Sequence, residues 1–414
     1  MINETIHNPE FKAKHRISET DFTRERSLPF HLLVLFLMNL IKNPAQTELD
    51  HFFARIYGSD LPSQVVTKAA LTEARRKLKH EAFIELNDRV IDGFYQQDDI
   101  QRWHGYRILA VDGTTLRLPN TPQIVEKFKP KPGETPLARL VELYDVLNHM
   151  VIGATLSTTE LGERFQAERL LPKAKVGDIV LYDRGFISFF LLALHRFLGL
   201  DYCMRTPLTQ FCVVEEFVRS GELERWVDIT PSAQAKRDCL SEGLSVEPIR
   251  VRLVRVELPN GEVEVLVTSL DNPIPSAFAE LYFLRWGIEE GYKHQKCRAE
   301  LENFSGKTVH AVYQDVFAKL LTLNLTAFFV FAAKPAAKAK TAHRKRDYAI
   351  NLAAALSKMK HHLVKAIHSL ATHLEPLVKW IASQTEAIRP GRQFQRKNPG
   401  RKKPGFHPCF KPNA

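Results

Sequence analysis

One stretch of the chain places a hydroxyl, a guanidinium, a carboxylate and an ammonium at helical spacing. Within residues 281–296 these groups belong to Tyr282, Arg285, Glu289 and Lys296. At about 100° per residue, the four side chains would share a stripe about 60° wide on one helix face. Such a row can be a ladder of structural ion pairs, since an arginine and a glutamate four residues apart attract each other. A functional surface is the alternative, because an exposed helix mixes charge on all faces and a core helix would not carry this row.

Two aspartates add to this set of polar groups. Asp112 and Asp183 each end a short apolar segment. Each has a local structural explanation: Asp112, which precedes Gly113, can form a turn through its side chain, and Asp183 can form an ion pair with Arg184. At the buried edge of a sheet, however, a carboxylate is costly unless it is paired or bound to metal. If Asp112, Asp183 and Glu289 meet there, they would repel one another strongly without a divalent cation, and their oxygen ligands suit Mg²⁺ or Mn²⁺ rather than zinc.

The elements that must position these residues form a mixed α/β pattern from residue 107 onward. The predicted segments are strand 107–112, strands 138–147 and 150–157, helix 163–171, strand 177–183, helix 189–198 and strand 201–205. This order predicts a mixed sheet with flanking helices. Both aspartates would lie at the C-terminal ends of strands, where open α/β sheets place their sites.

The regions on either side differ in pattern. The first hundred residues are predicted to be helical. They include a pattern that resembles a helix-turn-helix, formed by a helix over 47–57, a turn and a basic helix over 66–80. The alternative is that the basic residues form an ordinary solvated helix face. Residues 209–275 are β-rich and are interpreted as an inserted antiparallel subdomain, with segments at 213–214, 226–229, 248–258 and 263–269. Helical periodicity returns over 276–298.

Composition and charge narrow the class of protein. Of 414 residues, 44% are hydrophobic and 25% charged, which excludes a mainly disordered, collagenous or coiled-coil chain. Segments 334–346 and 387–414 together hold 14 Lys and Arg and no acid, more than the whole net charge of +11. Blocks of this kind suit a polyanion such as DNA, although a solubility tail is the simpler reading of a basic terminus.

The cellular compartment is predicted from the absence of paired cysteines, membrane spans and signal-peptide features in the sequence. The five cysteines are scattered without a C-x-x-C pair, so neither a disulfide framework nor a structural zinc site is expected. The apolar stretch 30–41 is too short to span a bilayer, and no signal peptide is recognisable. We therefore expect a cytoplasmic protein without a membrane partner.

The polar stripe also matches a family signature. The spacing Tyr282-x2-Arg285-x3-Glu289-x6-Lys296 resembles, position for position, the Tyr-Arg-Glu-Lys signature of DDE transposases of the bacterial insertion-sequence-four family. Three further segments are similar to blocks of that family: residues 111–118 to the first aspartate block, 182–186 to the second, and 301–307 to the segment after the glutamate. Residues 66–85 and the basic C-terminal end also look like the corresponding parts of such proteins.

The resemblance implies a ribonuclease-H-like fold with a helical N-terminal domain and a β-rich insertion. The implied domains are 1–100, helical and DNA-binding; 101–208, the first part of the catalytic core; 209–275, the insertion; 276–385, the second part of the core with the glutamate helix and C-terminal helices; and 386–414, a basic, disordered tail. Asp112, Asp183 and Glu289 would be catalytic and would hold two Mg²⁺ or Mn²⁺ ions. Tyr282, Arg285 and Lys296 would contact DNA phosphates.

Further residues are assigned around these positions. Lys293 lies near the same helix face and is expected to contact the DNA backbone, whereas Trp286 is expected to pack beneath the helix. Arg75 and Arg76, on the basic N-terminal helix, are expected to bind DNA.

The resemblance predicts a transposase that binds its own terminal inverted repeats, cleaves DNA with metal ions and transfers strands to target DNA. The partner is double-stranded DNA, bound by a homodimer that pairs two ends. A domesticated or inactive DNA-binding derivative and a ribonuclease-H-like nuclease without strand transfer are the alternatives. A glycosidase, which also uses two carboxylates, is disfavoured because nothing resembles a sugar platform.

Overall fold

The computed structural model describes residues 1–24, 26–257, 261–272, 274–368 and 374–389. In these residues the α-helices are α1 Ile2–His7, α2 Pro9–His15, α3 Phe30–Met38, α4 Ala45–Tyr57, α5 Lys68–Arg75, α6 Glu81–Phe94, α7 Pro122–Phe128, α8 Glu163–Leu170, α9 Phe189–Leu198, α10 Cys212–Ser220, α11 Ala233–Ser241, α12 Ala277–Phe283, α13 Trp286–Lys293, α14 Val309–Thr341, α15 Leu352–His368 and α16 Leu374–Ser383. A 3₁₀ turn spans Leu171–Lys173 and a π-helix spans His294–Arg298. The strands are β1 Arg107–Arg117, β2 Leu137–Asp145, β3 Met150–Thr158, β4 Asp178–Tyr182, β5 Asp201–Thr206, β6 Glu224–Ile229, β7 Ile249–Glu257, β8 Val263–Thr268, β9 Tyr348–Ile350 and β10 Thr385–Ala387.

The chain divides into two compact units. The sheet unit comprises Gln97–Thr115 and Ala138–Tyr292, and the helical unit comprises Met1–Gln96, Leu116–Leu137 and Lys293–Ala414. Each unit is therefore assembled from segments distant in sequence. The domain boundaries predicted along the chain remain predictions.

The sheet unit is built on an eight-stranded sheet in the order β3-β2-β1-β4-β5-β8-β7-β6. β1 pairs in parallel with β4, and β4 with β5, while β2 and β3 form an antiparallel hairpin. β4 is fully buried, as expected of a central strand that is almost continuously apolar. The strands and helices predicted over 107–205 occur in the predicted order, with the unpredicted α7 between β1 and β2. The predicted mixed α/β sheet with flanking helices is confirmed.

The region predicted as a separate β subdomain extends this same sheet. β8 pairs antiparallel with β5, and β7 and β6 follow it, so these strands continue the core sheet. Residues 213–214, predicted to be a strand, lie in α10, where buried Val214 and Phe217 occupy one face of an amphipathic helix. The prediction was wrong there because two adjacent valines favour a strand locally, whereas the helical spacing extends over nine residues.

The helical unit is organised around α14, which packs against α3, α6, α15 and α16. By length and composition α14 could cross a membrane, but 72% of its apolar window is buried inside the protein. Its buried polar side chains also have protein partners: the Thr322 hydroxyl donates to Met38 O over 2.8 Å, and Asn324 donates to Asn87 over 2.7 Å. α14 is thus the core helix of this unit.

Three predicted elements end differently in the structure. The basic helix predicted over 66–80 ends at Arg75, after starting at the Thr67 cap. The helix predicted over 276–298 is broken into α12, α13 and the π-helix, with a turn between Phe283 and Trp286. The predicted tail begins in β10, which pairs with β9, while residues 390–414, including Cys409, lie outside the described residues.

Candidate active site

The two aspartates of the candidate site follow neighbouring parallel strands. Val111 on β1 lies opposite Tyr182 on β4. Asp112 and Asp183 are the next residues, so both emerge at the same edge of the sheet, where adjacent strands are about 4.8 Å apart. Asp183 follows the end of β4 as predicted. Asp112, however, lies inside β1, which continues to Arg117 beyond its pairing with β4.

Asp112 is held by backbone contacts and surrounded by other acids. The Gly113 amide donates to Asp112 Oδ1 over 2.8 Å, and the Tyr292 hydroxyl donates to the Asp112 carbonyl over 2.7 Å. Burial raises the pKa of Asp112 to about 6; the Gly113 amide and Arg285 oppose this rise, and Glu163 and Glu289 add to it. The aspartate therefore lies where additional positive charge would stabilise it.

Asp183 is paired with an arginine from the adjacent strand. Arg205 on β5 lies 3.0 Å from Asp183 Oδ1, and it also forms an ion pair with Glu264 on β8. The Tyr282 hydroxyl lies 3.5 Å from the same Asp183 oxygen and 3.4 Å from the Tyr182 carbonyl. β5 and β8 therefore take part in positioning the second aspartate.

Arg285 connects the glutamate to the first aspartate. Its guanidinium donates to Glu289 Oε1 over 2.9 Å and lies 3.9 Å from Asp112 Oδ2. The Arg285 side chain is only 9% exposed, and its guanidinium carbon lies 5.9 Å and 5.7 Å from the ring centroids of Tyr282 and Trp286. Burial alone would lower the pKa of Arg285, but Tyr282, Glu289, Asp183 and Asp112 raise it above its ordinary value.

The broken helix changes the predicted stripe. Tyr282, Arg285 and Glu289 come together in the sheet unit, yet from α12, the turn after it and α13 rather than from one continuous helix. Lys293 ends α13 and Lys296 lies in the π-helix, and both belong to the helical unit. The angular calculation for one continuous α-helix therefore applies neither across the turn at residues 284–285 nor past residue 293. The roles of the two lysines on the DNA remain predictions.

The residues fit a divalent cation by their chemistry, although they are not arranged around one. Among the residues described, no three His, Cys, Asp or Glu side chains are grouped closely enough to hold a metal ion. The guanidinium of Arg285 is the positive charge that Asp112 and Glu289 share. The donor set contains only carboxylate oxygens, which suit Mg²⁺ or Mn²⁺. The pKa of Asp112 stays raised despite Arg285, chiefly because burial disfavours the charged form of this carboxyl group.

The chain matches a model of a known protein family. A family model described as the transposase DDE domain matches residues 103–325, more than half of the chain. The chain belongs to this transposase family. The matched range includes Asp112, Asp183 and Glu289. Membership implies phosphoryl transfer activity, and the family typically uses divalent metal ions.

Known proteins resemble this transposase over most of its length. It is 25% identical over 324 residues to the transposase InsG of insertion sequence element IS4 from Escherichia coli (strain K12), covering 75% of this chain and 72% of that protein. A cryo-EM structure of the piggyBac transposase synaptic complex with hairpin DNA aligns with a TM-score of 0.46 at 10% identity, covering 95% of this chain and 86% of that chain.

The two arginines predicted to bind DNA have different environments in the transposase. Arg75 is buried in the helical unit, where it lies 2.8 Å from Asp315 and donates to Gln314 and Ser305. The prediction that Arg75 binds DNA is therefore wrong, because its guanidinium is used inside the protein. The Arg76 side chain is 67% exposed and pairs with Glu73 on the same surface. Its role in DNA binding remains a prediction.

Sequence reasoning also misjudged or missed several residues near the site. Trp286, expected to pack beneath the helix, is 49% exposed, because the turn after α12 places it at the start of a new helix. Arg205, which pairs with Asp183, and Glu163, which influences Asp112, were not predicted. Glu264, which pairs with Arg205, was not predicted either. The sequence did contain a signal for Arg205, because it is a charged residue within β5, the strand that follows α9 and Asp183.

Proposed function

We propose that this transposase binds the terminal inverted repeats of its own element, cleaves DNA in a metal-dependent reaction and transfers the freed strand to target DNA. The observation that carries the proposal is the meeting of acids from three distant parts of the chain around Arg285. Membership of the transposase DDE family supports phosphoryl transfer as the reaction class. Pairing of two ends would require a homodimer on double-stranded DNA.

In this proposal Asp112, Asp183 and Glu289 hold two Mg²⁺ or Mn²⁺ ions. Two such ions, when bound, activate the entering oxygen and stabilise the leaving oxygen of an in-line displacement. The protein itself holds two of these carboxylates in position. Gly113 and Tyr292 fix Asp112 from the backbone side, and Arg205 holds Asp183 by an ion pair.

The cationic and hydroxyl groups would bind the DNA strand. Arg285 forms ion pairs with Asp112 and Glu289 in the free protein, and it would contact a non-bridging phosphate oxygen when DNA and cations occupy the site. Tyr282 would contact the neighbouring phosphate, because its hydroxyl lies beside Asp183.

Other positive groups would add affinity along the DNA. Lys293, Lys296, Arg76 and the basic segments 334–346 and 387–414 would contact phosphates, and this binding depends on salt rather than on sequence. The protein would act in the bacterial cytoplasm, at the nucleoid.

Cleavage of end-bearing DNA by the full-length protein tests the proposal. Labelled DNA with the inverted repeats that flank the gene is incubated with the protein and Mg²⁺, and the products are mapped on a gel. Asp112→Ala, Asp183→Ala and Glu289→Ala should abolish cleavage and leave end binding intact. Glu290→Ala is the matched control, since Glu290 is the next residue on α13 and is exposed. Cleavage by Glu289→Ala at the wild-type rate would refute the assignment.

The same assay separates the alternative functions. A nuclease without strand transfer would cut paired ends but yield no joined product with target DNA. A DNA-binding derivative would retard end DNA in a gel and cut nothing with either Mg²⁺ or Mn²⁺. The presence of all three acids, Asp112, Asp183 and Glu289, favours the active transposase over a decayed derivative.

A further inference from the structure

A fourth carboxylate lies against the first aspartate block of the sheet unit. Glu163 is the first residue of α8. Its carboxyl carbon lies 2.6 Å, and its Oε1 atom 2.8 Å, from the position that a Cβ atom on Gly113 would occupy. A side chain at position 113 would collide with this carboxylate. Glycine there thus allows Glu163 to approach the backbone directly after Asp112.

Glu163 is held at this position from the sheet. Arg139 on β2 places its Nε atom 3.3 Å from Glu163 Oε1 and donates from a terminal nitrogen to Leu161 O over 3.2 Å. The Glu163 side chain remains 39% exposed and borders an open cleft of about 620 Å³. The carboxylate is therefore supported by the protein and accessible to a small ion.

The next residue on α8 contacts the second aspartate block. Arg164 donates to the Gly185 carbonyl over 2.9 Å, two residues after Asp183. The start of α8 thus contacts the turn after Asp183 as well as the backbone after Asp112.

We propose that Glu163 is a fourth carboxylate of the metal centre, which strengthens divalent cation binding beside Asp112 while Arg139 holds it in place. This inference rests on the proposed function, because it assumes that Asp112 binds a cation. A carboxylate next to the metal ligands increases the attraction for a cation and restricts the positions that the ligands adopt. Glu163 is thereby a positioning residue for the reaction.

Mn²⁺ binding to the full-length protein without DNA tests the proposal, measured by electron paramagnetic resonance of the free ion. Glu163→Gln should weaken Mn²⁺ binding by about 10- to 100-fold, the usual effect of removing an outer-sphere partner. Glu163→Asp, which keeps the charge, should bind more tightly than Glu163→Gln. Glu160→Gln is the matched control, because it makes the same change three residues earlier at an exposed position that does not line the cleft, and it should bind Mn²⁺ as wild type.

The outcomes distinguish this inference from the proposed function. If Asp112→Asn loses Mn²⁺ binding while Glu163→Gln binds as wild type, the role of Glu163 is refuted and the metal centre stands. If wild type binds no Mn²⁺, or Asp112→Asn binds it unchanged, the centre itself is refuted, and the role of Glu163 with it.

A second pair of variants tests the geometry and does not depend on Glu163→Gln folding well. Gly113→Ala should displace the Glu163 carboxylate and weaken Mn²⁺ binding in the wild-type background. In the Glu163→Ala background, the same Gly113→Ala change should have no further effect, because nothing remains for the new methyl group to displace. Equal weakening in both backgrounds would overturn the proposal.

Discussion

Val111 lies directly opposite Tyr182 in the parallel pairing of β1 with β4. This register fixes which residues emerge together at the edge of the sheet, and they are Asp112 and Asp183. A shift of one residue would turn one of the aspartates to the opposite face of the sheet. The convergence of the first two acids is therefore a property of strand pairing.

The ion pairs of Arg285 predict opposite effects on cation binding and on cleavage. Arg285→Gln should bind Mn²⁺ about fivefold to tenfold more tightly than wild type, because a positive charge near Asp112 and Glu289 no longer opposes the cation. Cleavage of end DNA should nevertheless fall on the order of 100-fold, since a donor to the phosphate is lost. Arg285→Lys keeps the charge and should bind Mn²⁺ as wild type. Weaker Mn²⁺ binding by Arg285→Gln would contradict this account.

The adjacent residues Arg75 and Arg76 should differ in how much they stabilise the folded protein. Arg75→Ala should lower the free energy of unfolding by about 3–5 kcal/mol, because it leaves buried Asp315 without its cation. Arg76→Ala should change that free energy by less than about 0.5 kcal/mol, since its pair with Glu73 is exposed. Urea denaturation of both variants measures the difference. Similar destabilisation by the two substitutions would show that Arg75 is not a buried structural residue.

Arg76→Ala should instead weaken DNA binding. Loss of one phosphate contact lowers the affinity for all sequences and reduces the slope of log affinity against log salt by about one. Fluorescence anisotropy at several salt concentrations gives this slope. An unchanged slope would exclude a phosphate contact by Arg76.

Lys296 is predicted to contribute to DNA binding without contributing to cation binding. Lys296→Ala should bind Mn²⁺ as wild type and bind terminal-repeat DNA more weakly, whereas Lys296→Arg should restore DNA binding. Burial lowers the pKa of Lys296, with Arg117 adding to the decrease and Glu302 opposing it, so a phosphate would stabilise its charged form. A gel-shift assay with end DNA makes the measurement, and unchanged retardation of Lys296→Ala would exclude the role.

Buried Lys319 predicts a dependence of stability on pH. Its ammonium donates to the carbonyls of Glu300 and Asn303, and burial lowers its pKa from 10.5 to about 8. Between these values the unfolded chain binds more protons than the folded protein, so this group increases stability as pH rises from about 8 to 10.5. The gain is at most about 3.5 kcal/mol, because each pKa unit corresponds to about 1.4 kcal/mol.

The comparison of wild type with Lys319→Met isolates this effect from other titrating groups. The free energy of unfolding of wild type minus that of the variant should increase over this pH range, as measured by urea denaturation at each pH. A constant difference would show that Lys319 titrates alike in the folded and unfolded states.

The sequence by itself determined the chemistry and the order of the elements. Asp112 and Asp183 are recognisable because each follows an apolar segment of strand length, and such patterns depend only on neighbouring residues. The strand and helix order of the core follows from the same local periodicity. The spacing from Tyr282 to Lys296 identified the family for the same reason, since it lies within one short segment.

Only the tertiary structure decided which polar groups meet. Arg75 and Arg76 look alike in sequence, yet one packs against Asp315, which is 240 residues away along the chain. Glu163 lies over Gly113, and Arg205 reaches Asp183, because strand pairing and helix packing bring distant segments together. β8 likewise joins β5 instead of forming a separate domain. These contacts depend on register and packing between segments far apart in the chain, which local propensity does not encode.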